Sequence, residues 1–207
     1  MLDIVQHLHN YKIKIKVMEK VILGEDLVIY RVAFTPSTPK EILLFGVEEH
    51  INNNKKMEAC DAFDYHSEYP ELNEIENAGI DVCLKLAKEE GMHYTSYKHN
   101  SWINRVRKQN PIQYMFTNEP YHNHVLLNEG SLRFIPKYTF IYYLQMPNNL
   151  QNDEGHLVLK DKKGNVYSIL PKENEFLIHE SDIDHYPKHA PNSNVDRFII
   201  ASNVGFE

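Results

Sequence analysis

The sequence of 207 residues has little cysteine and no long apolar run. Its two cysteines, Cys60 and Cys83, fit neither a disulfide framework nor the paired spacing of a zinc site, so both are predicted to be reduced thiols. No apolar stretch reaches the roughly 20 residues that a membrane span needs, and residues 1–11 lack a basic flank followed by an apolar stretch. These absences predict a cytoplasmic protein, in the host cytoplasm if the source is viral, with no membrane contact.

The sequence also lacks a surplus of positive charge. Asp and Glu number 29 against 22 Lys and Arg, which gives a formal net charge of −7. Nucleic acids and anionic membranes are bound by clustered cations, so neither is a predicted partner. A small-molecule or peptidyl substrate is expected instead, and a homodimer is compatible with the sequence.

The chain length fits a single domain, residues 1–207, whose two parts differ in pattern. Residues 1–93 combine a hairpin pattern with helical patterns and are predicted to support a sheet. In residues 94–207, short apolar or aromatic runs are divided by turn residues, which is typical of a sandwich or barrel. The predicted fold class is therefore α+β and mostly β, with N-terminal helices packed on one sheet.

Local signals place the elements of the first part. The run from Ile13 to Phe34, broken at Gly24-Glu25-Asp26, predicts an antiparallel hairpin. Residues 38–41 carry a helix-start signature, and that helix is predicted to end near Asn52. Apolar residues then recur at helical spacing from Leu72 until Gly91, which predicts a second helix.

Two histidines, His122 and His124, stand two residues apart in the segment Tyr121–Val125. On a strand this spacing directs both imidazoles to the same face, where they could bind one metal ion. A His-x-His pair by itself is more often incidental than functional. The pair therefore needs a third ligand before it indicates a metal site.

The best candidate for a third ligand is His185, which lies between two apolar runs that read as strands. A β-sandwich can bring such distant strands together, and neutral imidazoles suit iron, zinc, copper or nickel. The alternative is a loop histidine near Pro187 with no ligand role.

Arg197 opens an otherwise apolar strand pattern near the end of the chain. Its guanidinium could hold a carboxylate through two parallel hydrogen bonds. The alternative is a surface arginine paired with the neighbouring Asp196.

From Ser101 to Phe206 the sequence resembles the iron(II)- and 2-oxoglutarate-dependent oxygenases, particularly the small members found in marine bacteria and their phages. The resemblance covers about half of the chain and depends on an ordered set of motifs rather than on any one of them. That set is Trp102-Ile103-Asn104, His122-Asn123-His124, Ile141-Tyr142-Tyr143-Leu144, Asp153-Glu154-Gly155, Leu170-Pro171, His185 and Arg197.

The resemblance implies a double-stranded β-helix, also called a jelly roll or cupin-like fold, which carries the metal site in residues 94–207. It also implies a dioxygenase that hydroxylates its substrate and uses iron(II), 2-oxoglutarate and dioxygen. The implied metal ligands are His122, His124 and His185. Arg197 and Tyr142 are the implied contacts of the co-substrate, and Tyr143 and Asn203 are further candidates for that role. Only one of two adjacent strand residues can face inward, so Tyr143 is the alternative to Tyr142, and either tyrosine could instead pack in the core.

Two departures from the family pattern bear on the site. The usual ligand set contains one carboxylate, so either His124 replaces it or an acid such as Glu129 supplies it. The usual glycine after the proline is absent, but Asn174 can adopt the same left-handed backbone conformation.

Two other classes of protein remain open from the sequence. A cupin-like metal protein that does not use 2-oxoglutarate is one, because Glu129 follows the His-x-His pair at the cupin spacing. The other is a nonenzymatic jelly roll in which the histidines are incidental. Metal content would separate the nonenzymatic jelly roll from the oxygenase and the cupin-like protein. Dependence on 2-oxoglutarate would separate the oxygenase from the cupin-like protein.

Overall fold

The computed structural model describes residues 18–53, 59–60, 69–106, 121–125 and 134–207. Within these ranges the helices are α1 (Lys40–Asn53) and α2 (Asn73–Glu89), with a one-turn 3₁₀ helix at Pro70–Leu72. The strands are β1 (Met18–Ile22), β2 (Val28–Ala33), β3 (Ala59–Cys60), β4 (Tyr97–Val106), β5 (Tyr138–Gln145), β6 (Leu157–Lys160), β7 (Val166–Ile169), β8 (Glu175–Glu180), β9 (Asp184–Pro187) and β10 (Arg197–Phe206). No helix in the described ranges is long and apolar enough to cross a membrane.

The strands form two antiparallel sheets, and their arrangement is that of a double-stranded β-helix. The large sheet has the order β1-β2-β8-β5-β10-β4-β3, and the small sheet has the order β7-β6-β9. The predicted N-terminal hairpin is present as β1 and β2, and it extends the large sheet because β2 pairs with β8. Residues 13–17 of that predicted hairpin lie outside the described residues.

One face of the large sheet packs against the two helices. On β5, the ring of Phe140 faces α2 so closely that a Cβ added to Gly79 would lie 2.7 Å from its ring atoms. Tyr138, Tyr142 and Leu144, on the same face of β5, belong to this buried cluster together with residues of both helices. The prediction that helices pack on one sheet is therefore confirmed.

The other face of the large sheet packs against the small sheet. Ile141 and Tyr143 alternate along β5 with the helix-facing residues and are buried with Leu157 and Leu159 of the small sheet. Because both faces of β5 are covered, the strand is apolar at almost every position rather than at every second one.

Left-handed residues end α2 and shape the turn before β8. Gly91, with φ of +74°, follows α2, and the N–H of Met92 donates to the carbonyl of Ala87 at 2.9 Å, which closes the helix end. Asn174 has φ of +59°, which confirms the conformation predicted for it. The turn at Asn174 brings β8 back beside β5, where it pairs residue by residue.

Candidate metal centre

A backbone bridge joins the His-x-His segment to β9. The N–H of His122 donates to the carbonyl of His185 at 3.1 Å, and the N–H of His185 donates to the carbonyl of His122 at 2.9 Å. The N–H of His124 donates to the carbonyl of Ser181 at 2.9 Å. The segment thus forms a single bridge followed by a turn, and not the regular strand that the sequence analysis assumed.

The three predicted histidines converge despite that difference. Their candidate ligand nitrogens all lie within 4.8 Å of one another, and the Nε2 atoms of His124 and His185 are 3.3 Å apart. In the described part of the chain, His122, His124 and His185 are the group of residues with this geometry. Three imidazoles at such spacing can bind one transition-metal ion.

Hydrogen bonds outside the cluster orient its rings. Nδ1 of His185 lies 2.9 Å from the carbonyl oxygen of Ile183. A carbonyl only accepts, so Nδ1 carries the proton and the lone pair of Nε2 points to the cluster, as in many metal sites. The side-chain amide of Asn123 donates to Asp184 Oδ1 at 2.8 Å, which adds a second connection between the His-x-His segment and β9.

Burial keeps His124 and His185 in their neutral form. Burial is the largest cause that lowers the pKa of His124 to about 3, and the nearby imidazoles of His122 and His179 contribute in the same direction. Burial likewise holds the pKa of His185 well below its ordinary value. A neutral imidazole has the lone pair that a metal requires, so the site fits the nitrogen-binding metals and not a hard ion such as calcium.

A further histidine, His179, is buried against the cluster and was not among the predicted site residues. Its ring centroid lies 4.6 Å from that of His185, and its Nδ1 donates to the carbonyl of Glu180 at 2.7 Å. Its Nε2 is buried and has no hydrogen-bond partner among the described residues. The sequence contained one signal for this position. His179 comes two residues after Leu177, so both side chains lie on the same face of β8, and Leu177 belongs to the cluster between the two sheets.

The three histidines open into a pocket between the two sheets. The pocket holds about 490 Å³ of space between protein atoms, including the part that opens to solvent. Strands β4, β5 and β10 supply one wall, and the small sheet supplies the opposite wall. The lining residues are Trp102, Asn104, Val106, His122, His124, Ile141, Tyr143, Leu157, His185, Pro187, Arg197, Ile199 and Ala201.

Arg197 contributes a buried cation to this pocket. Its side chain is only 3% exposed, and its Nε has no hydrogen-bond partner among the described residues. This burial contradicts the alternative of a surface arginine, and the carboxylate of Asp196 accepts a hydrogen bond of 2.7 Å from the Nε of Arg105. A buried guanidinium without an acidic partner is costly, and a bound carboxylate would remove that cost.

The two adjacent tyrosines of β5 point in opposite directions. Tyr143 lines the pocket, where burial raises the pKa of its hydroxyl and the nearby charge of Arg197 opposes that rise. Tyr142 lies on the helix-facing side, and its hydroxyl donates to Asn174 Oδ1 at 2.8 Å. The prediction that Tyr142 contacts a co-substrate is corrected by this position, because successive strand residues face opposite sides of a sheet.

Of the two remaining predicted site residues, only Asn203 belongs to the described part of the chain, and it is not in the pocket lining. Asn203 is buried on β10, where its Oδ1 accepts a hydrogen bond of 2.8 Å from the hydroxyl of Thr139. Glu129 lies outside the described residues, so its relation to the three histidines stays a prediction.

Comparisons with known proteins support the architecture. No protein-family model matches the chain, and no curated protein matches it in sequence. Among solved structures, a prolyl-4-hydroxylase from Pseudomonas putida aligns with a TM-score of 0.54 and 11% identity over 86% of this chain and 88% of that one. A prolyl 4-hydroxylase from Phytophthora capsici aligns with a TM-score of 0.54 and 15% identity over 85% of this chain and 58% of that one.

A third similar structure includes a bound peptide. It is a prolyl hydroxylase from Trichoplax adhaerens in complex with a peptide fragment of the hypoxia inducible factor oxygen degradation domain, with a TM-score of 0.50 and 14% identity over 81% of this chain and 78% of that one. At such low identity these likenesses show the fold alone. The chain therefore has the double-stranded β-helix fold found in 2-oxoglutarate- and iron(II)-dependent oxygenases, as the sequence resemblance predicted.

Proposed function

We propose that the protein is an iron(II)- and 2-oxoglutarate-dependent dioxygenase that hydroxylates its substrate. The observation that carries the proposal is one pocket that contains a cluster of three histidines, two of them buried, and a buried arginine whose Nε has no hydrogen-bond partner among the described residues. An oxygenase of this class needs both a metal site with open positions and a cation for a carboxylate.

His122, His124 and His185 would hold the iron through neutral imidazole nitrogens. The three candidate ligand atoms lie within 4.8 Å of one another at the wall of the pocket, so a metal ion held there would be accessible to co-substrate and dioxygen from the pocket. In this proposal His124 takes the place of the usual carboxylate, which leaves a set of three uncharged ligands among the described residues. Bound iron(II), 2-oxoglutarate and dioxygen would supply the oxidising chemistry, in which one oxygen atom enters succinate, the other enters the hydroxylated C–H bond, and carbon dioxide is released.

Arg197 would bind the distal carboxylate of 2-oxoglutarate, with Tyr143 beside it. Strand register sets the distance between this cation and the histidines. Arg197 pairs with Val106 at one end of the β4–β10 ladder, whereas Ala201 pairs with Trp102, whose ring centroid lies 5.0 Å from that of His124. A dicarboxylate between these points could be held at one end by the guanidinium and at the other by the metal.

The chain's own residues would also exclude water from the reaction. Ile141, Leu157 and Ile199 cover the pocket between the histidines and Arg197. Low polarity strengthens the interaction of a guanidinium with a carboxylate and protects reactive species from side reactions. The expected substrate is a small molecule or a peptide, by analogy with the neighbour solved with a peptide, and the expected location is the cytoplasm.

The test is an anaerobic titration of the purified protein with iron(II) and then 2-oxoglutarate, followed by visible absorption. The chelate of the two should give a weak charge-transfer band. Arg197→Ala should bind iron with unchanged stoichiometry but require more 2-oxoglutarate to produce the band. Absence of the band in the iron-loaded native protein would reject the oxygenase assignment.

A cupin-like metal protein that does not use 2-oxoglutarate is the second candidate. The specific observation in its favour is that the three described ligands are all histidines, without the usual carboxylate. Under this assignment iron binds but neither the band nor its dependence on Arg197 is observed.

A further inference from the structure

Three buried polar side chains form a chain of hydrogen bonds outside the pocket, and they come from three different parts of the fold. Asn203 lies on β10, Thr139 lies on β5, and Ser181 lies in the turn that follows β8. Each of them is at most 2% exposed. Oγ1 of Thr139 is 2.8 Å from Oδ1 of Asn203 and 2.9 Å from Oγ of Ser181. The pocket lining does not include these residues, so contact with a ligand there does not explain them.

The direction of the hydrogen bonds in this chain follows from its members. The amide oxygen of Asn203 only accepts, so the hydroxyl of Thr139 donates to it. That hydroxyl has one proton, so Thr139 Oγ1 accepts its second hydrogen bond from the hydroxyl of Ser181. A buried chain with matched donors and acceptors holds its members in one arrangement, because a broken hydrogen bond would leave a buried polar atom unpaired.

Ser181 connects this chain to the candidate metal centre. Its carbonyl oxygen accepts a hydrogen bond of 2.9 Å from the N–H of His124, and its own N–H donates to the carbonyl of Lys137 at 2.9 Å. His122 and His185 are joined to each other by the two hydrogen bonds of their bridge. Of the three histidines, His124 is therefore the one that the chain reaches through a direct hydrogen bond.

We propose that Thr139, Ser181 and Asn203 are positioning residues that fix His124 as a metal ligand. This inference rests on the metal site of the proposed function, in which His124 takes the place of the usual carboxylate. A neutral imidazole presents one lone pair and no charge to the ion, whereas a carboxylate presents two charged oxygens. A histidine in this place therefore depends more on accurate placement, and residues that orient metal ligands typically contribute about 10- to 100-fold to metal affinity.

The experiment measures zinc(II) affinity by competition with a chromogenic chelator. Zinc(II) is the probe because imidazoles bind it and it has no redox chemistry. Thr139→Val keeps the shape of the side chain without its hydroxyl, and Ser181→Ala removes the next hydroxyl of the chain; each should weaken zinc binding about tenfold. Thr139→Ser retains the hydroxyl and should keep the affinity within about threefold of native, because the hydrogen bonds can still form.

A matched control separates positioning from a general loss of stability. Ser202 precedes Asn203 on β10 but pairs with Phe140 on the helix-facing side, and its buried hydroxyl accepts a hydrogen bond of 2.9 Å from Ser101. Ser202→Ala should lower the midpoint of urea denaturation, as Thr139→Val does, but leave zinc affinity within about twofold of native. Circular dichroism of each variant shows whether it is folded.

A double-mutant cycle tests whether the chain acts through His124. In the His124→Ala background, Thr139→Val should change zinc affinity by less than about twofold, because the ligand that the chain positions is already absent. In the His122→Ala background, Thr139→Val should still weaken zinc binding about tenfold.

Native zinc affinity in folded Thr139→Val or Ser181→Ala would overturn the inference. So would an equal effect of Thr139→Val with and without His124, a loss of the same size in Ser202→Ala, or no zinc binding by the native protein.

The two proposals can fail separately. Zinc binding that depends on Thr139, without a charge-transfer band from iron(II) and 2-oxoglutarate, would contradict only the oxygenase assignment. The band together with native zinc affinity in Thr139→Val would contradict only the positioning role.

Discussion

The two faces of the large sheet differ in what they bury. The helix-facing side holds Phe140, Phe176 and other apolar residues, and Tyr142 there satisfies its hydroxyl within the protein. The opposite side buries His179, Arg197 and Asn203 together with aliphatic residues. Three buried polar atoms on that side, in Asn104, His179 and Arg197, lack partners among the described residues. The helix-facing side has one such atom, the hydroxyl of Tyr138, and it lies outside the pocket lining, whereas Asn104 and Arg197 on the opposite side line the pocket, where a ligand could pair them.

The largest expected effect comes from the helix-facing side. Phe140→Ala should lower the free energy of unfolding by about 3–5 kcal/mol, because it removes a fully buried ring and leaves a cavity against α2. Urea denaturation followed by circular dichroism measures this. Iron affinity of the folded variant should stay within about twofold of native, since the ring belongs to the cluster on the opposite face of the sheet from the histidine pocket. A large loss of affinity would mean that packing on one face affects metal binding on the other.

The next largest effect is on metal binding from the other side. His185→Ala should weaken iron(II) binding by at least about 100-fold, because loss of even a residue that only supports a ligand typically costs 10–100-fold. Competition with a chromogenic chelator under anaerobic conditions measures the affinity. The matched control is His93→Ala, an exposed histidine outside the pocket. Full iron occupancy in the His185 variant would remove the metal assignment.

Arg197→Ala should raise the dissociation constant for 2-oxoglutarate by about 10- to 100-fold, the range for a charge-assisted hydrogen bond. Iron stoichiometry should not change, because the guanidinium belongs to the opposite end of the pocket. Arg105→Ala is the control, since Arg105 is on the adjacent strand but pairs with Asp196. An equal loss in both variants would point to a general effect of positive charge rather than to a specific contact.

The smallest effects should distinguish the two adjacent tyrosines. Tyr142→Phe should lower the free energy of unfolding by about 1 kcal/mol, through loss of the hydrogen bond to Asn174, with no change in 2-oxoglutarate affinity. Tyr143→Phe should weaken 2-oxoglutarate binding about three- to tenfold, the effect of one hydrogen bond. Urea denaturation and the absorption titration, applied to both variants, separate the two roles. The opposite assignment of effects would show that Tyr142 is the co-substrate contact.

The sequence predicted the elements better than it predicted the direction of side chains. Helix-start and turn chemistry located α1 and α2 to within about two residues, because such signals are local. The choice between Tyr142 and Tyr143 could not be made in the same way. Strand β5 is apolar on both faces, so its sequence has no alternation to show which face is which.

The same reasoning explains the outcome for the site. An ordered motif set singled out His122, His124, His185 and Arg197 as candidates, and the fold brings all four to one pocket, where their roles stay a prediction. His179 was missed because no motif contains it. Only the alternation of side chains along β8 indicates that it faces the pocket side of the sheet. Asn104 belonged to a recognised motif, but its unpaired oxygen depends on packing between distant strands and is not visible in the sequence.

Trp102 is the single tryptophan of the sequence, and it lines the pocket beside His124. All indole fluorescence of the protein therefore originates at the candidate metal centre. With excitation at wavelengths that tyrosine does not absorb, emission should report the occupancy of this one location. A redox-active ion bound by the histidines would quench it at close range, so the molecule contains its own optical probe and needs no added label.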